Sequence, residues 1–413
     1  MSQKTTKTPV QTLLEWSVPL LAGVGLALVW ANLNAEGYQH MAHWSPFGHG
    51  SHFNLHFLVN DLFMALFFGI AAGEITESCL PGGALNPPRK AVNPLLATLG
   101  GIVGPVGVYL AYVWLTGADH LRNGWGIPTA TDIAIAWLVA RLALGNKHPG
   151  VTFLLLLAVA DDGIGLGIIA VFYPDPAHPV QPAFLGLVAL GAVVAFAMRK
   201  REVKSFWAYL LVPGAMSWFG LHAAHLHPAL ALVPIVPFMP AAHHDHGMFA
   251  PEEEHAPDTL NRFQHTLKLP VDVGLFFFGL VNAGVSLGSV GQATMAVLLA
   301  LLVGKTVGIY VFATVGAKLG FPLPEGMNGR SLVVVGICAS LGLTVALFVS
   351  NVAFTDPGLQ GAAKMGALLS AVGGPLAIVV SRMLKVRRIT DEGEAPAYEP
   401  EPTTVAISIA PAE

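Results

Sequence analysis

Charge is scarce in this sequence. Asp, Glu, Lys and Arg make up 11% of its 413 residues, and 54% are hydrophobic. An ordinary soluble domain carries about 25% charged residues. Several apolar stretches reach the roughly 20 residues that cross a bilayer. The sequence therefore reads as a polytopic membrane protein, and length divided by soluble-domain size is no guide to its domain count. Cysteine is scarcer still. Cys79 and Cys338 stand far apart, which excludes a disulfide framework and leaves two small apolar packing residues. No nucleotide-binding motif occurs, so nothing points to ATP as a source of drive. No cofactor and no nucleic-acid partner is expected. A cleaved leader is disfavoured as well. Lys4 and Lys7 precede an apolar stretch, but Glu15 interrupts it and no small-x-small site follows; residues 13–32 are read as a first membrane helix.

Apolar runs are present in number. They fall at about 13–32, 55–79, 95–116, 124–143, 150–172, 183–198, 205–220, 222–239, 268–288, 292–315, 331–351 and 362–381. The 205–239 stretch is read as two short spans with almost no connection. Basic residues test the count, because inner loops are enriched in Lys and Arg. With the N-terminus inside, 18 of the 21 basic residues fall on the inner side and only Arg122 and Lys364 outside. The last, Lys305, lies within a span. This predicts an all-α polytopic protein of about twelve spans with both termini cytoplasmic. Residues 1–12 form an inner tail, 13–388 the transmembrane domain, and 389–413 a Pro/Glu-rich, disordered tail.

Ionisable residues inside spans are costly and mark pathways or relays. Here they are Asp61, Glu74, Glu77, Asp132, Asp161, Asp162 and Lys305, with Asp272 nearer an end. Asp61 is expected at a solvated outer rim. Glu74 and Glu77, near the inner end of their span, either meet water or act there. Asp161 and Asp162 fall at mid-span. Neighbours on a helix point about 100° apart, so each serves a different partner across a shared cavity. Two carboxylates this close titrate as a coupled unit, and carboxylate oxygen suits hard cations such as Na⁺. One site then holds protons or a small cation, but not both. A protonated pair kept for packing and an intramembrane aspartyl protease are the alternatives. The first is a poor use of two carboxyls in lipid; the second needs its carboxylates on facing helices. Lys305, in "LLVGKTVGIY", needs a carboxylate or helix-end carbonyls unless it snorkels to the interface.

Two spans are interrupted. "GWGIPTATDIAIAW" contains Pro128, Thr129, Thr131 and Asp132, and "VVVGICASLGLTVALF" contains Gly336, Ser340, Gly342 and Thr344. Broken spans in corresponding halves point to a transporter site. Half-helix ends carry about half an elementary charge, so Asp132 is placed to offset facing N-termini and Lys305 facing C-termini.

These stretches, with "LAVADDGIGLGIIAVFY", "GKTVGI", "FPLPEG" and "NAGVSL", resemble the motifs of the NhaA-type bacterial sodium/proton antiporters, in consistent order from about Asn60 to Phe354. The resemblance implies twelve spans with inverted repeats and two crossed broken helices. It also implies electrogenic exchange of Na⁺ or Li⁺ for H⁺ in the bacterial inner membrane, for sodium extrusion and pH homeostasis. By position, Asp162 is the principal cation and proton carboxylate, Asp161 its partner near Lys305, and Thr131 and Asp132 lie at the break. Glu74, Glu77 and His265 are the pH-response candidates at the cytoplasmic mouth. That cluster departs from the family pattern. Glu77 and Ser78 stand where a basic then an acidic residue is expected, and Gln264 and Lys268 where acidic and histidine residues are.

The implied partners are Na⁺ or Li⁺, H⁺ and the lipid bilayer, with a homodimer left open. His222 and His225 are additions without an assigned purpose. The "HHDH" loop, His243 to His246, is read as solvated, its spacing matching no standard zinc pattern. The alternative function is a sodium-coupled organic-anion symporter on a similar fold, for which a single in-span lysine is a poor anion cavity.

Overall fold

The computed structural model describes residues 18–46, 53–80, 88–174, 178–241 and 258–389, and in them the chain is helical without strands. Among the described residues, six helices are long and apolar enough to cross a membrane: Leu55–Cys79, Ala91–Thr116, Pro149–Phe172, Pro182–Lys200, Gln292–Lys318 and Pro357–Met383. Two helix pairs bend sharply at a break, by 63° between Asp119–Thr129 and Ile133–Leu144 and by 52° between Gly329–Ala339 and Thr344–Ala353. Counting each pair as one span gives up to eight. Both bends fall in the interrupted stretches. Pro128 lacks the amide proton that would continue its turn, and at the second break Ser340 and Gly342 are poor helix-interior residues.

One expectation fails. Residues 222–239 do not form a helical span: the helix Ala215–Ala223 ends there, and the chain continues as turns with short 3₁₀ segments at Pro228–Leu230 and Val236–Phe238. Pro228, Pro234 and Pro237 each remove a backbone donor, and His225 adopts a left-handed φ of 60°. The segment is nevertheless buried through Leu230, Leu232, Ile235 and Val236, so its apolar composition reflects packing inside the protein rather than a lipid-facing helix. The 268–288 run starts earlier than its composition suggests. Asp258 caps the helix Thr259–Asn282 by accepting from Asn261 N at 2.8 Å. The N-terminal tail, the HHDH loop and the C-terminal tail lie outside the described residues.

The exterior is apolar. Leu190, Val193 and Phe196 on Pro182–Lys200 are exposed, as are Trp114 and Val171 on two other spans. In water an apolar surface this broad would associate; in lipid it is solvated.

The interior is set by a close crossing of the helices Ala91–Thr116 and Gln292–Lys318. A Cβ on Gly104 would come within 2.2 Å of Gly304 O, and one on Gly308 within 2.0 Å of Gly100 O. Gly100 and Gly104 thus face Gly304 and Gly308 backbone to backbone, the small-xxx-small solution for tight packing in membranes. A π-helical turn, Ala300–Lys305, runs into the crossing and includes Gly304; the wider turn shifts the register that aims Lys305 inward. A bulky residue here must part the two helices. Gly104→Val is expected to lower the unfolding temperature in detergent by several degrees and to reduce folded yield, whereas Gly107→Ala, whose Cβ would meet nothing within 4 Å, is expected to be silent.

Candidate functional site

The helix Pro149–Phe172 begins at His148, whose side chain accepts from Gly150 N at 3.0 Å. It carries Asp161 and Asp162 about half-way along. Their roughly 100° separation turns them to different neighbours. Asp161 Oδ2 accepts from Lys305 Nζ at 2.7 Å and lies 2.8 Å from Thr131 Oγ1. Both members of the Asp161–Lys305 pair are 0% exposed. Removing two charges from water is expensive and is offset only by close geometry and further hydrogen bonds. Lys305 Nζ supplies one such bond, donating to Thr129 O at 2.6 Å. Thr131 Oγ1 also sits 3.0 Å from Ala339 O, so its single proton serves one of two acceptors.

Asp162 faces the other way. It is 8% exposed and lines a cavity of about 130 Å³ whose walls also include Glu74, Thr131, Asp132, Lys268 and Asp272. Asp162 Oδ1 and Asp161 Oδ1 have no hydrogen-bond partner among the described residues. A buried acceptor without a donor is costly in a resting structure. Two such oxygens on adjacent residues suit a proton or a small hard cation.

The broken helices meet beside this pair. Asp132 N donates to Leu341 O at 2.6 Å, joining the two breaks. Asp132 Oδ1 accepts from Ile135 N at 3.2 Å and Oδ2 from Thr344 N at 3.4 Å. One carboxylate thereby sits between the N-termini of Ile133–Leu144 and Thr344–Ala353. On the opposite side the Lys305 ammonium caps the carbonyl end of Asp119–Thr129. Each charge meets the helix end of opposite sign, which stabilises both.

The remaining candidates divide. Glu74 shares the cavity with Asp162, whereas Glu77 is buried one turn further on and does not line it, and His265 lies on the exposed side of its helix. Lys268 and Asp272 on Thr259–Asn282 do line it. Their i, i+4 spacing put them on one face, the one sequence signal that links them. Asp61 is not a simple solvated rim residue. It lines a second cavity of about 570 Å³ together with His222, His225 and His227, and its Oδ1 lies 3.8 Å from His227 Nδ1.

Two crossed, broken helices with compensating charges and a carboxylate pair at their junction define a class: ion-coupled secondary transporters of the membrane. Comparison with known proteins narrows this. Residues 11–381 match the family Na⁺/H⁺ antiporter 1. The Na⁺/H⁺ antiporter NhaA of Geobacter metallireducens is 59% identical over 383 residues, 93% of this chain and 100% of the relative. That of Geobacter sulfurreducens is 57% identical over 380 residues, 92% of this chain and 99% of the relative. That of Desulfitobacterium hafniense is 52% identical over 389 residues, 94% and 99% respectively. The chain belongs to the Na⁺/H⁺ antiporter 1 family, a family of transporters and not of enzymes.

Proposed function

We propose that the chain exchanges Na⁺ or Li⁺ for H⁺ across the bacterial inner membrane, electrogenically, serving sodium extrusion and pH homeostasis. In this reading the chain crosses the membrane twelve times, one crossing being made inside the protein by the buried, non-α-helical turns of 224–239; residues 13–388 form the transporter domain, and both tails are cytoplasmic. The observation that carries the reading is the division of labour within the carboxylate pair. Asp161 is neutralised by Lys305, while Asp162, with an unpartnered oxygen, lines the cavity. Proton and cation compete for Asp162, with Asp161 and Thr131 completing the oxygen set. Moving the occupied site to the other face, by rocking about the broken helices, makes that competition an exchange. Moving more protons than cations needs a second titrating group, and the Asp161–Lys305 pair supplies it. An organic-anion symporter is disfavoured, because Glu74, Asp132, Asp162 and Asp272 surround the cavity with a single lysine among them.

The test is pH-gradient collapse in proteoliposomes. Adding Na⁺ or Li⁺ outside acid-loaded vesicles is expected to release the gradient; no response to Na⁺, Li⁺ or K⁺ would overturn the reading.

A pH profile follows. At low pH the carboxylate pair holds its protons and exchange fails. As pH rises the proton leaves more readily and the cation competes; at high pH too few protons remain to return. Activity is therefore expected to be bell-shaped, its acid limb moving to lower pH as Na⁺ is raised. The usual mouth cluster is depleted here: Gln264 and Lys268 replace ionisable acid and imidazole, and His265 does not line the cavity. No sharp, Na⁺-independent alkaline onset is expected. Transport assayed from about pH 6 to 9 at several Na⁺ concentrations checks this, and a steep onset fixed in pH would refute it.

A further inference from the structure

The inner cavity has four carboxylates on its walls and, among the described residues, one ammonium, that of Lys268. Lys268 and Asp272 lie one turn apart on the helix Thr259–Asn282, and both line the cavity with Glu74. The Lys268 ammonium and the carboxylates of Glu74 and Asp272 thus share one small space, where opposite charges attract. Its side chain is half-buried, on a flexible stem that bears a compact, mobile point charge. A small cavity with low-dielectric walls focuses field, so one fixed positive charge strongly affects the local concentration of a mobile cation.

We propose that Lys268 is a tethered cation in the access path, competing with incoming Na⁺ for the carboxylates of Glu74 and Asp272 and so setting the Na⁺ concentration that half-saturates exchange. The inference rests on the antiport reading and adds a determinant of apparent affinity outside the Asp161–Asp162 pair. The ammonium occupies the outer carboxylates when the bulk cation is dilute and yields them when it is concentrated. Residual positive charge keeps weakly bound cations out at low Na⁺. Asp272 has the opposite effect, since its carboxylate draws both the tethered and the free cation.

The experiment is the Na⁺ dependence of exchange in proteoliposomes at one fixed pH, for wild type, Lys268→Gln, Lys268→Arg and Asp272→Asn. Lys268→Gln is expected to lower the half-saturating Na⁺ concentration by roughly three- to tenfold, the effect of one unit charge several ångströms away in a partly screened cavity. Lys268→Arg should keep the wild-type value, and Asp272→Asn should raise it. The Lys268→Gln effect should shrink when ionic strength is raised with a non-transported salt. A merely structural lysine would produce neither rescue by arginine nor opposite shifts at positions 268 and 272. Wild-type half-saturation in Lys268→Gln, or an equal drop in Lys268→Gln and Lys268→Arg, overturns the inference while antiport stands. Absence of any cation-driven proton movement in the wild type overturns both. Should Lys268→Gln fail to fold, Asp272→Asn decides: a raised value supports the inference and an unchanged one refutes it.

Discussion

Asp162→Asn abolishes cation-driven proton movement on this account, leaving only the background of empty vesicles. An amide neither releases a proton at accessible pH nor offers a charged oxygen to Na⁺, so both halves of the competition are lost together. The fold should survive. Asp162 faces a cavity, its Oδ1 has no donor among the described residues, and no described salt bridge depends on it. Replacing an under-satisfied buried carboxylate by a neutral isostere relieves a desolvation cost, so the unfolding temperature should stay level or rise. Loss of transport with retained stability is the expected signature, read from vesicle assays and thermal unfolding of the same preparation. Normal transport by Asp162→Asn would sink the mechanism.

Lys305→Ala should damage stability as well as activity. The ammonium is wholly buried and bonded to Asp161 Oδ2 and Thr129 O. Its removal strands one carboxylate and one helix-end carbonyl in the interior. Breaking one side of a buried pair costs roughly 3–5 kcal/mol, which should appear as a clear drop in unfolding temperature. Combining it with Asp161→Asn should restore part of the loss, because the stranded charge is then gone. A Lys305→Ala protein as stable as wild type would show that the pair contributes nothing to the fold. Asp161→Asn alone should leave exchange damaged, with electroneutral residual activity, since the second titrating group is lost while Asp162 remains.

Much of this architecture was legible in the chain because lipid imposes simple rules. Charges inside apolar runs stand out, and Pro128, Thr131 and Asp132 in one run and Ser340 to Thr344 in another announce where helices break. That Lys305 needs a carboxylate or helix-end carbonyls unless it snorkels follows from the cost of leaving it alone. Which carboxylate it meets did not, since residues 161 and 305 are joined only by the fold; there the family resemblance supplied the pairing. The Gly100–Gly104 and Gly304–Gly308 crossing was equally hidden, because small residues in a membrane helix carry no label for their partner. The buried turns of 225–239 read as a helical span because burial in protein and burial in lipid favour the same residues; the prolines at 228, 234 and 237 carry the contrary signal. The place of Lys268 and Asp272 in the cavity was hidden because the apolar run begins at 268 and makes them look like solvated end residues, whereas the helix begins at Thr259 and sets them mid-helix.

The central claim is that proton and cation exclude one another at Asp162. It is tested most directly by counting protons released when Na⁺ binds to the detergent-solubilised protein, by calorimetry in buffers of different ionisation enthalpy. The account expects proton release on Na⁺ binding, falling toward zero as pH rises and the site empties of protons, with both binding and release lost in Asp162→Asn. Saturable Na⁺ binding with no proton release at any pH on the acid limb would contradict it.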